Sequence, residues 1–153
     1  MKKSILLLAL SLIFSAFAAD KMIFEAENYK GNSIVKKDAS ASGTQIVTGG
    51  QWYEMIKNVP IPDGANYCFI RVKSSDPVNW FCAYTTAKPF SWFKTSGENK
   101  WVWVNLGRYE KNAENKGVMP TVFLQQSKNP KVAGMADLLI FSPSIPESIT
   151  SRL

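Results

Sequence analysis

From about residue 20 onward the apolar residues alternate with polar ones or cluster in short runs. No stretch of ten or more residues carries the i, i+3, i+4, i+7 spacing of an amphipathic helix. The runs Lys21–Glu27, Ser33–Lys37, Thr44–Val47, Gln51–Val59, Asn66–Ser74, Trp80–Thr85, Lys100–Leu106, Met119–Gln125 and Ala136–Phe141 are each of strand length. Turn chemistry separates them at Gly49-Gly50, Pro60–Gly64, Asp76-Pro77, Lys88-Pro89, Ser96-Gly97, Gly117 and Asn129-Pro130. This pattern predicts an all-β fold: a jelly-roll β-sandwich of about nine short antiparallel strands in two sheets. In Lys100–Leu106, Trp101 and Trp103 share one face and Val102 and Val104 the other. A strand apolar on both faces is either central in its sheet or lined by a ligand on one side.

The first residues differ in kind. Met1-Lys2-Lys3 is a basic start, Ile5 to Phe17 is apolar apart from Ser11 and Ser15, and Ala16-Phe17-Ala18 is a small-x-small cleavage signal. Residues 1–18 therefore read as a secretory signal peptide, with an uncleaved anchor helix as the alternative. No Cys follows the run, which argues against a lipid anchor. No second apolar stretch approaches ~18 residues, so no membrane span is expected after cleavage, and the location is secreted or periplasmic. One domain is expected over 19–143, and the polar segment 144–153 is expected to be a flexible tail.

Charge and composition narrow the function. The chain has 18 Lys+Arg against 12 Asp+Glu and no His. Lys2 and Lys3 fall in the leader, which leaves 16 scattered basic residues against the same 12 acids. That is not the clustered basic footprint of a nucleic-acid binder. The absence of His removes Ser-His-Asp triads, Cys-His dyads and imidazole metal sites. A catalytic base would have to be Tyr, Lys or a carboxylate, and no convergent set is visible, so the chain is not read as an enzyme. Cys68 and Cys82 flank the turn at 75–77 symmetrically, as cross-strand neighbours of a hairpin would. An exported location permits a disulfide between them, and two buried reduced thiols are the other option.

The acids near the start carry more information. In Phe24-Glu25-Ala26-Glu27, a strand would put both carboxylates on one face, with Cα atoms roughly 6.6 Å apart. Such a pair repels unless a cation sits between them, and Ca²⁺ accepts irregular oxygen ligation. Asp137 opens the apolar run Leu138–Phe141 and is the candidate third carboxylate, since the end strands of a sandwich often lie side by side. Two solvated glutamates on an edge strand, or a glycosidase pair, are the competing explanations.

These residues, in order, resemble the calcium-containing carbohydrate-binding modules of families 6 and 35. Phe24-Glu25-Ala26-Glu27 resembles their opening, and Ala39–Val47 their Gly/Ser-rich turn and short strand. Gly50-Gln51-Trp52-Tyr53, Val59-Pro60, Asp63–Tyr67, Ile70-Arg71-Val72, Lys100–Gly107 and Asp137–Phe141 follow in the order of those modules. The resemblance implies a jelly-roll sandwich, a structural Ca²⁺ held partly by Glu25, Glu27 and Asp137, and sugar binding through loop aromatics. It also implies a ligand-stacking Trp at Trp101 and a hydroxyl-reading Asn at Asn129. The aromatic that the family 6 pattern carries before its first Trp strand is missing from Ile46-Val47-Thr48.

Sugar rings present apolar C–H faces to Trp and Tyr planes. Trp92, in the aromatic cluster Phe90-Ser91-Trp92-Phe93 of an expected loop, and Trp80, just after Asp76-Pro77, join Trp101 as candidate platforms. Trp52 and Trp103 are expected in the core. The function expected is a secreted, non-catalytic carbohydrate-binding β-sandwich for a polysaccharide or cell-surface glycan. The alternative is a structural or adhesion sandwich in a larger extracellular complex.

Overall fold

The computed structural model describes residues 22–84, 89–127 and 133–150. The leader, Asn129 and residues 151–153 lie outside them. The described residues form strands β1 (Met22–Glu25), β2 (Ile34–Lys37), β3 (Gln45–Gly49), β4 (Glu54–Ile56), β5 (Asn66–Ser74), β6 (Val78–Ala83), β7 (Pro89–Thr95), β8 (Val102–Tyr109), β9 (Thr121–Ser127) and β10 (Gly134–Ser142). One helical turn, α1 (Glu147–Thr150), comes after β10, with Ile149 buried where a flexible tail was expected. No helix among the described residues is long and apolar enough to cross a membrane.

The architecture is a two-sheet β-sandwich of antiparallel strands. One sheet runs β2-β3-β10-β5-β8, with β1 also paired to β10; the other runs β4-β9-β6-β7. The extra strand relative to the sequence expectation is β7, which occupies what was expected to be a loop. Between the sheets, alternate residues of each strand form one core that includes Val47, Ile70, Val72, Trp80, Leu124 and Leu139.

Two features of the sheets place the chemically informative side chains. β10 has β5 on one flank, while its other flank is shared: Gly134–Ala136 pair with β3 and Leu138–Phe141 with β1. The β10–β5 register also shifts between Ala136 and Leu139. Asp137 thus falls at a bulge, where the ladder changes hands on one side and slips on the other. The second feature is the link from Ser74 to Val78, which carries the chain from one sheet to the other.

That crossing corrects the hairpin expected for the cysteines. Cys68 is on β5 of the first sheet and Cys82 on β6 of the second; both are buried free thiols. Burial pushes both up, Cys82 to about 12, and the neighbouring Cys82 adds to the effect at Cys68. The expectation rested on local turn chemistry, which cannot distinguish a hairpin from a sheet-to-sheet crossing.

Candidate functional site

Three places bear on function: an acidic cluster beside β10, the outer face of the β4-β9-β6-β7 sheet, and the start of β8.

The cluster is built where β1 ends. Glu25 closes the strand, Glu27 sits in the short 3-10 turn Ala26–Tyr29, and the β10 bulge presents Asp137. The loop before β3 closes over them. The Ser42 N–H donates to Asp137 Oδ1 and Oδ2 at 2.9 and 3.2 Å, and the Ser42 hydroxyl donates to Glu25 Oε1 at 3.0 Å. Gly43, at φ +60°, has room for a Cβ only 3.6 Å from Glu27 Oε1 and 3.7 Å from Glu25 Oε2, so both carboxylates sit against one point of this loop. Arg71 Nη1 donates to Asp137 Oδ2 at 2.7 Å.

The cluster brings three carboxylates against one guanidinium. Glu25 Oε2 and Glu27 Oε2 are buried with no hydrogen-bond partner. Burial raises the Glu27 pKa above the ordinary carboxylate value, and the charges of Glu25 and Asp137 add to this, against a hydrogen bond from its own backbone. Burial likewise raises Asp137, reinforced by Glu25 and opposed by Ser42 and Arg71. No three acidic or sulfur side chains among the described residues form a ready-made metal shell. Yet two orphaned buried carboxylate oxygens are the donors a hard cation would satisfy.

The outer sheet face results from strand alternation. On β6, Trp80 and Cys82 point into the core, so Phe81 points out. On β7, Phe93 packs on the core and Trp92 points out. On β9, Leu124 is inside and Phe123 outside. Phe81 pairs in register with both Trp92 and Phe123. Its ring stacks on Phe123 at 4.8 Å and 8°, lies 5.1 Å from Trp92, and meets Trp52 edge-on at 6.1 Å. Trp52 arrives from the turn before β4 with φ +64°, held by its N–H to the Leu124 carbonyl at 2.7 Å. Phe81 and Phe123 are buried, whereas Trp52 and Trp92 are each 54% exposed. Next to this aromatic row, Asn79, Lys94 and Gln125 line a groove of about 480 Å³ together with Trp92 and Phe93. That volume falls within the range of small-ligand sites.

Trp101 stands elsewhere. Val102 and Val104 pack toward the core, so Trp101 and Trp103 look out from the opposite side of the sandwich to Trp92. The Trp101 indole N–H donates to Ser40 Oγ at 2.9 Å, and Arg71 and Lys73 lie 5.0 and 4.6 Å from its ring centroid. Lys73 also pairs with Asp38 at 2.9 Å. The ring is therefore already engaged by cations of its own chain. β8 is the last strand of its sheet, which corrects the option that it is central.

The structure thus brings Glu25, Glu27 and Asp137 together and separates Trp92 from Trp101. Trp80 is corrected from platform to core: it is fully buried, stacks on Phe93 at 5.6 Å, and donates its indole N–H to Thr95 at 3.2 Å. Trp52 and Trp103 are corrected the other way, being half and partly exposed. Trp92 is on a strand rather than a loop. A signal for this face was present: Trp80-Phe81 and Trp92-Phe93 are adjacent aromatics, and on a strand one of each pair must face outward.

No protein-family model and no curated protein sequence matches this chain. Solved structures do match in fold. A family 35 carbohydrate-binding module from Clostridium thermocellum aligns with 79% of this chain and 98% of its own at 17% identity, TM-score 0.55. A family 6 carbohydrate-binding module from Clostridium stercorarium, solved with cellobiose, aligns with 80% of this chain and 94% of its own at 16% identity, TM-score 0.53. An exo-β-1,3-galactanase from Phanerochaete chrysosporium, solved with galactose, aligns with 80% of this chain at 19% identity, TM-score 0.53. This chain spans only 29% of that enzyme's length. The chain therefore has the β-sandwich fold of carbohydrate-binding modules.

Proposed function

We propose that this protein is an exported, non-catalytic carbohydrate-binding β-sandwich. It holds a polysaccharide on the outer face of its β4-β9-β6-β7 sheet, through Trp92 of β7 and Trp52 of the turn before β4. The observation that carries this reading is the pair of half-exposed indoles, Trp52 and Trp92, over the buried Phe81, with the polar row Lys94, Asn79 and Gln125 alongside. Indole planes take the apolar faces of sugar rings, and neighbouring amide and ammonium groups read their hydroxyls. The fold likeness to carbohydrate-binding modules supports the same function, and the leader at residues 1–18 supports export.

A structural calcium ion belongs to this reading. Glu25, Glu27 and Asp137 would hold it, with the orphaned Oε2 atoms as its natural partners. Calcium supplies the positive charge that three carboxylates lack, and pins β1 to β10 and to the loop at Ser42.

The test is retention of the protein on immobilised polysaccharides in native affinity gels, beside a Trp52→Ala/Trp92→Ala variant. Retention lost in the variant with its circular dichroism unchanged is the expected result. Equal retention of both proteins would overturn the placement, and release of reducing sugar from the gel would overturn the non-catalytic reading.

A further inference from the structure

We infer that Trp101 is a positioning residue for the calcium site of Glu25, Glu27 and Asp137, acting through Ser40 and Arg71. The inference rests on the calcium reading proposed for that cluster, and gives the indole a role that needs no sugar.

One loop covers the carboxylates. Strands β2 and β3 pair as far as Lys37 and Gln45, so residues 38–44 connect them as a hairpin loop. The Asp38 N–H donates to the Thr44 carbonyl at 3.1 Å, which closes the base of that loop. Gly43 and Thr44 both have positive φ, +60° and +63°. A β-branched residue stays in that region only where its surroundings hold it there.

Ser40 supplies part of that hold. Its hydroxyl donates to Asp38 Oδ1 at 2.6 Å and accepts the Trp101 indole N–H at 2.9 Å. The other Asp38 oxygen accepts from Lys73 at 2.9 Å. Two residues on, Ser42 donates to Asp137 and Glu25. The loop is thus tied to β8 and β5 at Ser40 and to the acidic cluster at Ser42, with Ala41 alone between the two anchors. Freeing Ser40 frees Ser42, and a loop left loose must be ordered when the cation binds.

Trp101 reaches the cluster by a second route. Its ring centroid lies 5.0 Å from the Arg71 guanidinium carbon, and Arg71 Nη1 donates to Asp137 Oδ2 at 2.7 Å. A guanidinium held over an indole face is restrained there. One side chain therefore touches both groups that orient the Asp137 carboxylate, the Ser42 loop and Arg71. Linkage is reciprocal: if Trp101 raises the affinity for calcium, calcium fixes the indole.

The experiment is calorimetric titration of the full protein with calcium near neutral pH, repeated for Trp101→Phe, Ser40→Ala and Ser40→Thr. The Tm of each protein is also measured in chelator, and fluorine NMR follows the indoles after labelling with fluorotryptophan. Trp101→Phe keeps a ring over Arg71 and removes the N–H to Ser40. Its calcium Kd should rise about fivefold, the worth of one hydrogen bond. Ser40→Ala should match it, and Ser40→Thr, which keeps the hydroxyl, should restore the native affinity. The Trp101 resonance, assigned by its loss in Trp101→Phe, should shift with calcium while those of Trp52 and Trp92 stay. A merely structural role would lower the Tm in chelator and leave the calcium Kd within about twofold of native. That outcome overturns the inference and leaves the calcium site standing. A Ser40→Thr protein as weak as Ser40→Ala, or a Trp101 resonance that calcium leaves unmoved, does the same. A native protein that binds no calcium overturns the calcium reading and the inference with it.

Discussion

Calcium should invert the pH dependence of this protein's stability. Around Ser42 the fold gathers Glu25, Glu27 and Asp137, pairs Asp137 with Arg71, and leaves Glu25 Oε2 and Glu27 Oε2 buried without hydrogen-bond partners among the described residues. In the calcium-free protein, burial and mutual repulsion raise the pKa of Glu27 and of Asp137. A carboxyl with a raised folded-state pKa still holds a proton that the unfolded chain has released. Its contribution to stability is therefore complete below the ordinary carboxylate pKa, and is lost as pH rises through the raised value. Calcium-free protein should melt higher as pH falls from 7 toward 5. Calcium binds only the ionised carboxylates, so its contribution runs the other way, full near neutrality and shrinking with acid. At a calcium concentration about a hundred times its Kd the gain is about 2.7 kcal/mol. For a domain of this size that corresponds to a rise of about 8–13 °C in Tm. The assay is differential scanning calorimetry from pH 5 to 7.5, with excess calcium or with chelator, on the native protein and on Glu27→Gln. The Gln variant should lose most of the calcium response and flatten the calcium-free slope. A Tm that calcium leaves unmoved at pH 7, or a pH slope identical with and without chelator, would refute the reasoning.

The geometry predicts three further outcomes. Trp80→Ala should destabilise the fold by about 3–5 kcal/mol in urea titration, because it empties a fully buried site between the sheets; a loss under about 1 kcal/mol would place Trp80 outside the core. Trp101→Ala should leave polysaccharide retention within about twofold of the native protein, since its ring faces Arg71 and Lys73 on the far side of the sandwich; loss of retention would return the site to that face. A thiol reagent at pH 8 should label neither Cys68 nor Cys82 in the folded protein and both in denaturant, and dithiothreitol should not change Tm, because both thiols are buried and unpaired. A Tm lowered by dithiothreitol would show a bond between the sheets.

The fold class and most of the strands were legible in the amino-acid order alone, because period-two alternation and turn residues are local properties. Glu25 and Glu27 do meet, but not by the strand alternation the sequence suggested: the strand ends at Glu25, and the 3-10 turn Ala26–Tyr29 carries Glu27 to the same point of the Gly43 loop. Asp137 was a reasonable partner on local grounds, as an acid opening an apolar end strand. Which aromatics are exposed was settled only by packing. Trp80 and Trp92 look alike in the sequence, yet pairing with β9 and β7 turns Trp80 inward and leaves Trp92 on the open face. Trp52 stands on that face only because its turn places the indole over Phe81, a residue 29 positions further along the chain. The cysteines show the same limit: a turn at 75–77 is equally consistent with a hairpin and with a crossing between sheets. Side-chain direction along a strand is set locally, but which face is covered depends on strands paired from distant parts of the chain.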